Sequence, residues 1–313
     1  MKKALGLAVV WLVVFLAFGL ATGWKFTTLG NLETITRQTI IVGFATIGMT
    51  YVIMTGAIDL SVGSLVALTT VVIATLLKGG HSPLVAAGAG IGLCAIAGLV
   101  TGVLTTQLKV GSFIVTLAGM GVYRGIAKGL AHEKPVYPPD SWLTVLTSKL
   151  KPGQSWMLLP IGAWLVLLLA VLMAFILRST VFGRHTVAVG SNEATARMCG
   201  VNTVRQQVLV FTLAGLFFGL AGLAQFARLG VGDPTTGVGL ELSVIAAVVI
   251  GGASLTGGEG SIFGALLGAL IMTTINAGGS QLGWPNWIQE IVTGLIILGA
   301  VALDRWRMSR AAA

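Results

Sequence analysis

The sequence predicts an all-α polytopic membrane protein with about ten transmembrane helices in two inverted five-helix halves, some of them broken or re-entrant. Three observations carry that expectation. Hydrophobic residues make up 55% of the 313 and charged residues only 9%, against about 25% charged in a soluble domain. Apolar runs follow one another from end to end, with only short polar stretches between most of them. The 44 glycines let helix backbones approach closely, as small residues do inside lipid. Residues 1–313 read as a single membrane domain. Its first half, 1–156, ends in an outer loop at 131–156; its second half, 157–313, carries an inner loop at 178–205. The formal charge of +9 sits singly at span ends, which argues against a nucleic-acid face and fits anionic headgroups.

Met1-Lys2-Lys3 followed by Ala4 to Leu20 resembles a signal peptide, and Gly19-Leu20-Ala21 offers small residues for cleavage. The apolar run of about 17 residues exceeds the usual signal core of about 7–15, so it is expected to stay as the first span. Trp24 to Gln38 mixes Trp24, Lys25, Phe26, Glu33 and Arg37, a composition suited to an interfacial helix with an aromatic anchor. Further spans are expected at 39–55, 62–78, 84–107, 112–130, 157–177, 206–228, 241–255, 261–278 and 285–303. Both termini then lie on one side. Lys2, Lys3, the arginines of 178–205 and Arg305, Arg307 and Arg310 put that side in the cytoplasm, against Lys134, Lys149 and Lys151 in the outer loop. An odd number of spans per half requires the halves to be inverted. Gly63-Ser64-Leu65-Val66 against Gly260-Ser261-Ile262-Phe263 is a faint echo of such a repeat.

Gly56 to Ser64, GAIDLSVGS, sets an acid between the apolar runs 40–54 and 65–77. A central Asp costs about 2.5–3.5 kcal/mol to insert, and irregular backbone in hydrocarbon needs partners. Asp59 can be a ligand for substrate or ion, or a cap for the amides of Ser61 and Val62; the spacing favours the cap. Asp59, Ser61 and Gly63 are thus assigned to a helix break facing the translocation path. A second glycine-rich stretch, 239–264, opens on Glu241 and reaches Gly251-Gly252, Ser254 and a tight turn at 256–260. It is no phosphate loop, because no GK[ST] follows and Glu259 would repel phosphate. It reads as a re-entrant or short hairpin, and Gly251, Gly252 and Ser254 join the path assignment.

In the inner loop, Ser191 is expected to cap a short helix through its hydroxyl. Beyond Asn192, Glu193 and Arg197 stand four apart for an ion pair, Ala194 and Ala196 keep the helix slim, and Gly200 stops it. Such a helix can dock into a groove on a soluble partner or rest on anionic lipid. Arg124 with Lys128, and Gln225 with Arg228, either snorkel to headgroups or line an outer entrance for a polyol. Trp284-Pro285-Asn286-Trp287 reads as an aromatic belt with a helix-starting proline. His81, His132 and His185 are scattered, and Cys94 and Cys199 lack metal spacing. No catalytic site, metal or cofactor is expected.

GAIDLSVGS, VGSFIVTLAGM at 110–120, GSNEATARMCGVNT at 190–203 and ELSVIAAVVIGGASLTGGEGS at 241–261 occur in that order. Through them, from about residue 40 to 303, the chain resembles the membrane permease subunits of bacterial ABC importers for monosaccharides, the ribose, xylose and arabinose type. It departs from the family pattern at Ala57, where a second Gly is usual, at Gly111, often Pro, and at Glu259, commonly Arg. The resemblance implies a bacterial cytoplasmic membrane location, a second permease subunit, identical or closely related, and two cytoplasmic ATPase subunits. It also implies an extracytoplasmic sugar-binding protein received by loops 131–156 and 229–240, and gives the 191–203 helix the role of coupling helix. Walker motifs are absent, so this chain is expected not to be an enzyme. Nucleoside or branched-chain amino-acid import, an ion-coupled secondary transporter and a passive channel are the alternatives.

Overall fold

The computed structural model describes residues 2–150 and 156–312. Lys151 lies outside the described residues, as do the side chains of Lys2, Lys3, Arg305, Arg307 and Arg310 that the orientation argument used. Twelve α-helices follow in order: α1 Lys2–Ala21, α2 Leu29–Met54, α3 Val62–Lys78, α4 Pro83–Leu108, α5 Ser112–Leu130, α6 Ile161–Ser179, α7 Val181–Ser191, α8 Glu193–Met198, α9 Thr203–Leu229, α10 Leu240–Ile250, α11 Ile262–Gln281 and α12 Asn286–Ala312. Among the described residues the only β pairing is an isolated bridge between Val136 and Gly232. The helices α2, α4, α6, α9 and α11 are long and apolar enough to cross a membrane, and α3, α10, Leu5–Ala21 and Asn286–Ala302 are shorter apolar helices. Exposed Leu168, Val171 and Phe175 on α6 and Ile114 and Leu117 on α5 are the apolar exposure expected of surfaces facing lipid.

Two expected boundaries are corrected. No separate interfacial helix fills Trp24–Gln38; Lys25–Thr27 forms one 3-10 turn and α2 runs unbroken from Leu29. The reason is packing: Phe26 and Ile35 are buried, Phe26 lies against the rings of Phe15 and Phe18, and nothing between Gln38 and Thr39 interrupts the helix. The span at 241–255 stops at Ile250, because Gly252 turns left-handed (φ +92°) directly after it.

Buried side chains run without interruption from Ile40 to Met54, so α2 forms the centre of the bundle. Around it α4 and α9 approach one another closely. A Cβ on Gly98 would sit far inside contact distance of the Phe211 carbonyl, and one on Gly215 would meet the Cys94 carbonyl in the same way. The two helices therefore touch backbone to backbone, and dispersion between them replaces the hydrophobic drive that lipid removes. Gly98→Ala is expected to cost about 1–3 kcal/mol by overpacking and lower the melting temperature in nanodiscs by several degrees. Gly92→Ala, on the same helix with open space around it, should leave the melting temperature unchanged; equal behaviour of the two would refute the tight α4–α9 contact. The N-terminal helix packs on α11, where Trp11 Nε1 donates to Thr274 Oγ1 at 3.0 Å.

Candidate functional site

Two stretches of non-helical backbone organise the molecule, 55–61 before α3 and 230–239 before α10, and one sequence pattern recurs at the point where each passes into its helix. Ile58-Asp59-Leu60-Ser61-Val62 leads into α3, and Leu240-Glu241-Leu242-Ser243-Val244 opens α10. The echo expected between 63–66 and 260–263 is replaced by this one. Gly63 lies against Gly237 and Glu241, whereas Gly260 lies against Met54, so those two glycines occupy unrelated surroundings. The legible signal was the alternation of apolar residue, acid, Leu, Ser and Val, and attention to glycine alone passes over it.

The first break, 55–61, is held from α5. The Ile58 amide donates to Ser112 Oγ at 3.1 Å, and Thr116 Oγ1 donates to the Ile58 carbonyl at 3.3 Å. Asp59 is 1% exposed, and its Oδ1 accepts from the Ser61 amide at 2.8 Å and from Ser61 Oγ at 2.6 Å. The expected cap is thus present for Ser61. It does not extend to Val62, because Ser61 is itself already αR (φ −79°, ψ −7°) at the start of α3.

The second stretch, 230–239, connects helices of very different length. α9 has 27 residues and α10 has 11, about 40 Å against about 16 Å at 1.5 Å per residue. The chain makes up the difference by running down the side of α3: Gly232 sits against Thr70 and Ala74, and Gly237 against Gly63. Its polar backbone is satisfied on the way, as burial requires. Thr70 Oγ1 donates to the Asp233 carbonyl at 3.3 Å. Arg124 donates to the carbonyls of Pro234 at 2.9 Å and Thr236 at 2.6 Å. Gln225 Nε2 donates to Thr236 Oγ1 at 2.6 Å. Arg124 is therefore a clamp for this segment, in place of the snorkelling expected of it. One helix, α5, holds both breaks: the first through Ser112 and Thr116, the second through Arg124. Sequence reasoning missed Ser112 and Thr116, whose partner lies 54 and 58 residues away.

The first break also meets the 178–205 segment. Met54, the last residue of α2, accepts through its carbonyl from the Gly258 amide at 2.9 Å. Gly190, near the end of α7, lies so close that a Cβ there would collide with the Met54 carbonyl and stand 2.6 Å from the Gly258 nitrogen. The Gly258 backbone in turn lies against Ser191. Gly251 packs against Ala265 of α11, and Ser254 donates from its amide to the Glu259 carbonyl at 3.1 Å, closing the 251–261 turn. Three chain reversals are thus interlocked at the end of the bundle that carries α8.

On α8 the expected cap is corrected. Ser191 still belongs to α7, and its hydroxyl donates back to the Val187 carbonyl at 2.9 Å. Asn192, the first extended residue (φ −161°), caps the helix by accepting from the Thr195 amide at 2.9 Å. Glu193 and Arg197 form the expected ion pair at 2.8 Å, Ala196 is buried against the protein, and Ala194 and Met198 are exposed. Gly200 has φ +86° and donates to the Arg197 carbonyl at 3.0 Å, the helix stop that a Cβ disfavours. The loop is tied to α9 by Gln206, which donates to the Phe182 carbonyl and to Thr186 Oγ1 at 3.0 and 2.8 Å.

At the far end, α2, α9, α10, α11 and α12 line an open cavity of about 510 Å³. Gln225 and Arg228 line it; Arg124, Asp59, Ser61, Gly63, Gly251, Gly252 and Ser254 do not. The segment 131–150 folds back onto α2 and the 230–239 stretch. Arg37 of α2 donates to the Thr147 carbonyl, Glu33 accepts from the Leu150 amide at 2.9 Å, and Val136 pairs with Gly232.

The family model described as branched-chain amino acid transport system / permease component matches residues 31–301. The ribose import permease protein RbsC of Escherichia coli (strain K12) is 38% identical over 293 residues, covering 94% of this chain and 91% of that protein. RbsC of Bacillus subtilis (strain 168) is 40% identical over 279 residues, 88% of this chain and 84% of its own. The L-arabinose ABC transporter permease protein AraH of Azospirillum brasilense is 36% identical over 305 residues, 97% and 88% of the two chains. No solved structure matches.

Proposed function

The chain belongs to the family of transport-system permease components, and from that premise we propose that it is the membrane permease subunit of an ABC importer for a monosaccharide. The relatives named for ribose and arabinose support the substrate class, and the mostly uncharged lining of the far-end cavity is compatible with it. We take α1 to α6 and α9 to α12, with α7 and α8 outside the count, as the ten expected spans, the 11-residue α10 reaching only part of the way across. The repeated pentapeptide that leads into α3 and opens α10 supports two inverted halves. The protein sits in the bacterial inner membrane with both termini in the cytoplasm and pairs with a second permease subunit. Two ATPase subunits bind from the cytoplasm, and a sugar-binding protein is received by loops 131–156 and 229–240.

One observation carries the mechanism: the short helix α8 stands beside the interlock of Gly190, Met54 and Gly258. Movement of an ATPase subunit against α8 is handed through α7 to the end of α2 and the 251–261 turn. From Met54 it passes to the first break, and α5 relates that break to the second. ATP is hydrolysed in the partner, and this chain turns the partner's closure into alternating access.

The test is co-purification with an ATPase subunit whose turnover rises with sugar-loaded binding protein. Glu193→Arg removes an exposed pair worth only about 0.3–0.5 kcal/mol to folding, so the protein should fold while coupling is lost. Gly200→Val forces a β-branched residue to positive φ and should do the same at greater cost to the helix. If coupling survives both substitutions, α8 is not the docking element. The family description favours branched-chain amino acids as a second reading, with nucleosides beside it; uptake of labelled leucine, adenosine and pentoses separates these. Uptake that persists with ATP depleted and stops with an ionophore would mark an ion-coupled transporter instead.

A further inference from the structure

We infer that each permease subunit carries its own monosaccharide-binding pocket, the cavity bounded by the far ends of α2, α9 and α11 and the first turns of α10 and α12. This rests on the importer reading above and adds to it a site and the chemistry of its ligand.

Three features of the cavity point to a polyol. The first is size: about 510 Å³ falls within the range of about 300–1,000 Å³ usual for small-molecule sites. The second is the lining. Gln38, Gln225, Asn276, Asn286 and Gln289 bring five neutral side-chain amides to one space, and Arg228 and Glu290 bring a charged donor and a charged acceptor. Each amide offers two donors and one acceptor oxygen, which matches hydroxyl groups that both give and accept. Ile41, Val42 and Leu240 supply apolar wall for the carbon face of a sugar ring. The third is that the polar groups are unspent. Among the described residues, the side chains of Gln38, Arg228, Asn276 and Glu290 make no hydrogen bond, while Gln225 and Gln289 are each engaged by one face and held in place. Gln38 and Asn276 are half-buried and Arg228 and Glu290 exposed, so their polar atoms stay accessible from the cavity and can be taken up by a ligand's hydroxyls. Most protein cavities that collect such groups are filled by water or by a ligand that replaces it.

Two further details fix the character of the site. Among the described residues no aromatic ring lines the cavity, so the stacking that strengthens many sugar sites is missing and binding is weak. Weak binding suits a position on a path, where a tightly held sugar would not leave. The 230–239 segment forms one edge of the cavity through Gly237, Val238 and Gly239, and the same segment is clamped by Arg124 and Gln225. A shift of that segment during the transport cycle would open or collapse the pocket directly, with no intervening element.

The experiment measures saturation-transfer NMR on the full-length permease–ATPase complex in nanodiscs without binding protein, using D-ribose, D-xylose, L-arabinose, leucine and adenosine as probes. At least one pentose should give a saturable signal in the millimolar range. Gln38→Met and Asn276→Leu, near-isosteric and apolar, should each weaken it at least tenfold, with wild-type melting temperature as the check on folding. Asn276→Gln, which returns an amide one methylene away, should recover part of the signal if Asn276→Leu is unstable. In parallel, ATP-driven uptake with the binding protein identifies the cargo. Pentose uptake without any saturable pentose signal, or a signal unchanged in all three variants, overturns the pocket and leaves the importer reading standing. Uptake of leucine or adenosine with no pentose uptake overturns the monosaccharide reading and the ligand class of the pocket together.

Discussion

Gly190→Ala is expected to reduce ATP-driven uptake at least tenfold while the permease still binds its ATPase partner. The added methyl would fall on the Met54 carbonyl and crowd the Gly258 amide, which together form the hydrogen bond that joins the end of α2 to the 251–261 turn. Backbone atoms cannot turn aside as a flexible side chain can, so the joint must open. Overpacking of this kind costs about 1–3 kcal/mol, and about 1.4 kcal/mol is a factor of ten in the population of the intact joint. The outward face of α8 is untouched, because Glu193, Arg197 and Met198 lie beyond the extended Asn192. Docking and uptake should therefore part: basal ATPase activity persists, and its stimulation by loaded binding protein disappears. Gly88→Ala, with no atom near its added methyl, is the control. A Gly190→Ala protein with normal uptake would mean that motion reaches the first break by another route.

How much of this was legible in the sequence follows from the range of each interaction. Membrane class and helix content follow from composition and apolar run length, which are local. The Glu193–Arg197 pair and the Gly200 stop are spacings within one short helix and were read correctly. The cap was misassigned by one residue because nothing local says that α7 continues through Ser191; that extension comes from Gly190 and Ser191 packing on Met54 and Gly258. The merged helix over 29–54 was missed for a similar reason, since Phe26 and Ile35 are drawn inward by α1 and α11, outside any window around them. The clamp from α5 and the far-end cavity join residues far apart in sequence, and no spacing rule announces them. The paired breaks are a different case. Their signature was present in the chain, but it lies in the acid and serine that open each helix and not in the glycines.

Those two acids carry the second large effect, and the substitutions at Asp59 decide what the break is for. Asp59→Asn keeps the Oδ1 acceptor that serves the Ser61 amide and hydroxyl, so uptake should remain within about twofold of wild type, a neutral exchange of one satisfied acceptor for another. Asp59→Leu leaves both donors without a partner at a position 1% exposed. An orphaned buried donor costs about 1–3 kcal/mol, and the Ile58 peptide held by Ser112 and Thr116 loses the turn that positions it. Little monodisperse protein should then be recovered, as judged by size-exclusion profile and melting temperature. Glu241 gives the matched comparison: its Oε1 accepts from the Gly239 amide at 3.2 Å and its other oxygen faces Gly63. If both acids act only by holding a helix start, Glu241→Gln should behave like Asp59→Asn. A well-folded but inactive Asn or Gln variant would show that the negative charge itself is used, because shape and the accepting oxygen are preserved. Retained activity in both would remove buried Asp59 and half-buried Glu241 from an ion-coupled mechanism and leave ATP, acting through α8, as the source of work.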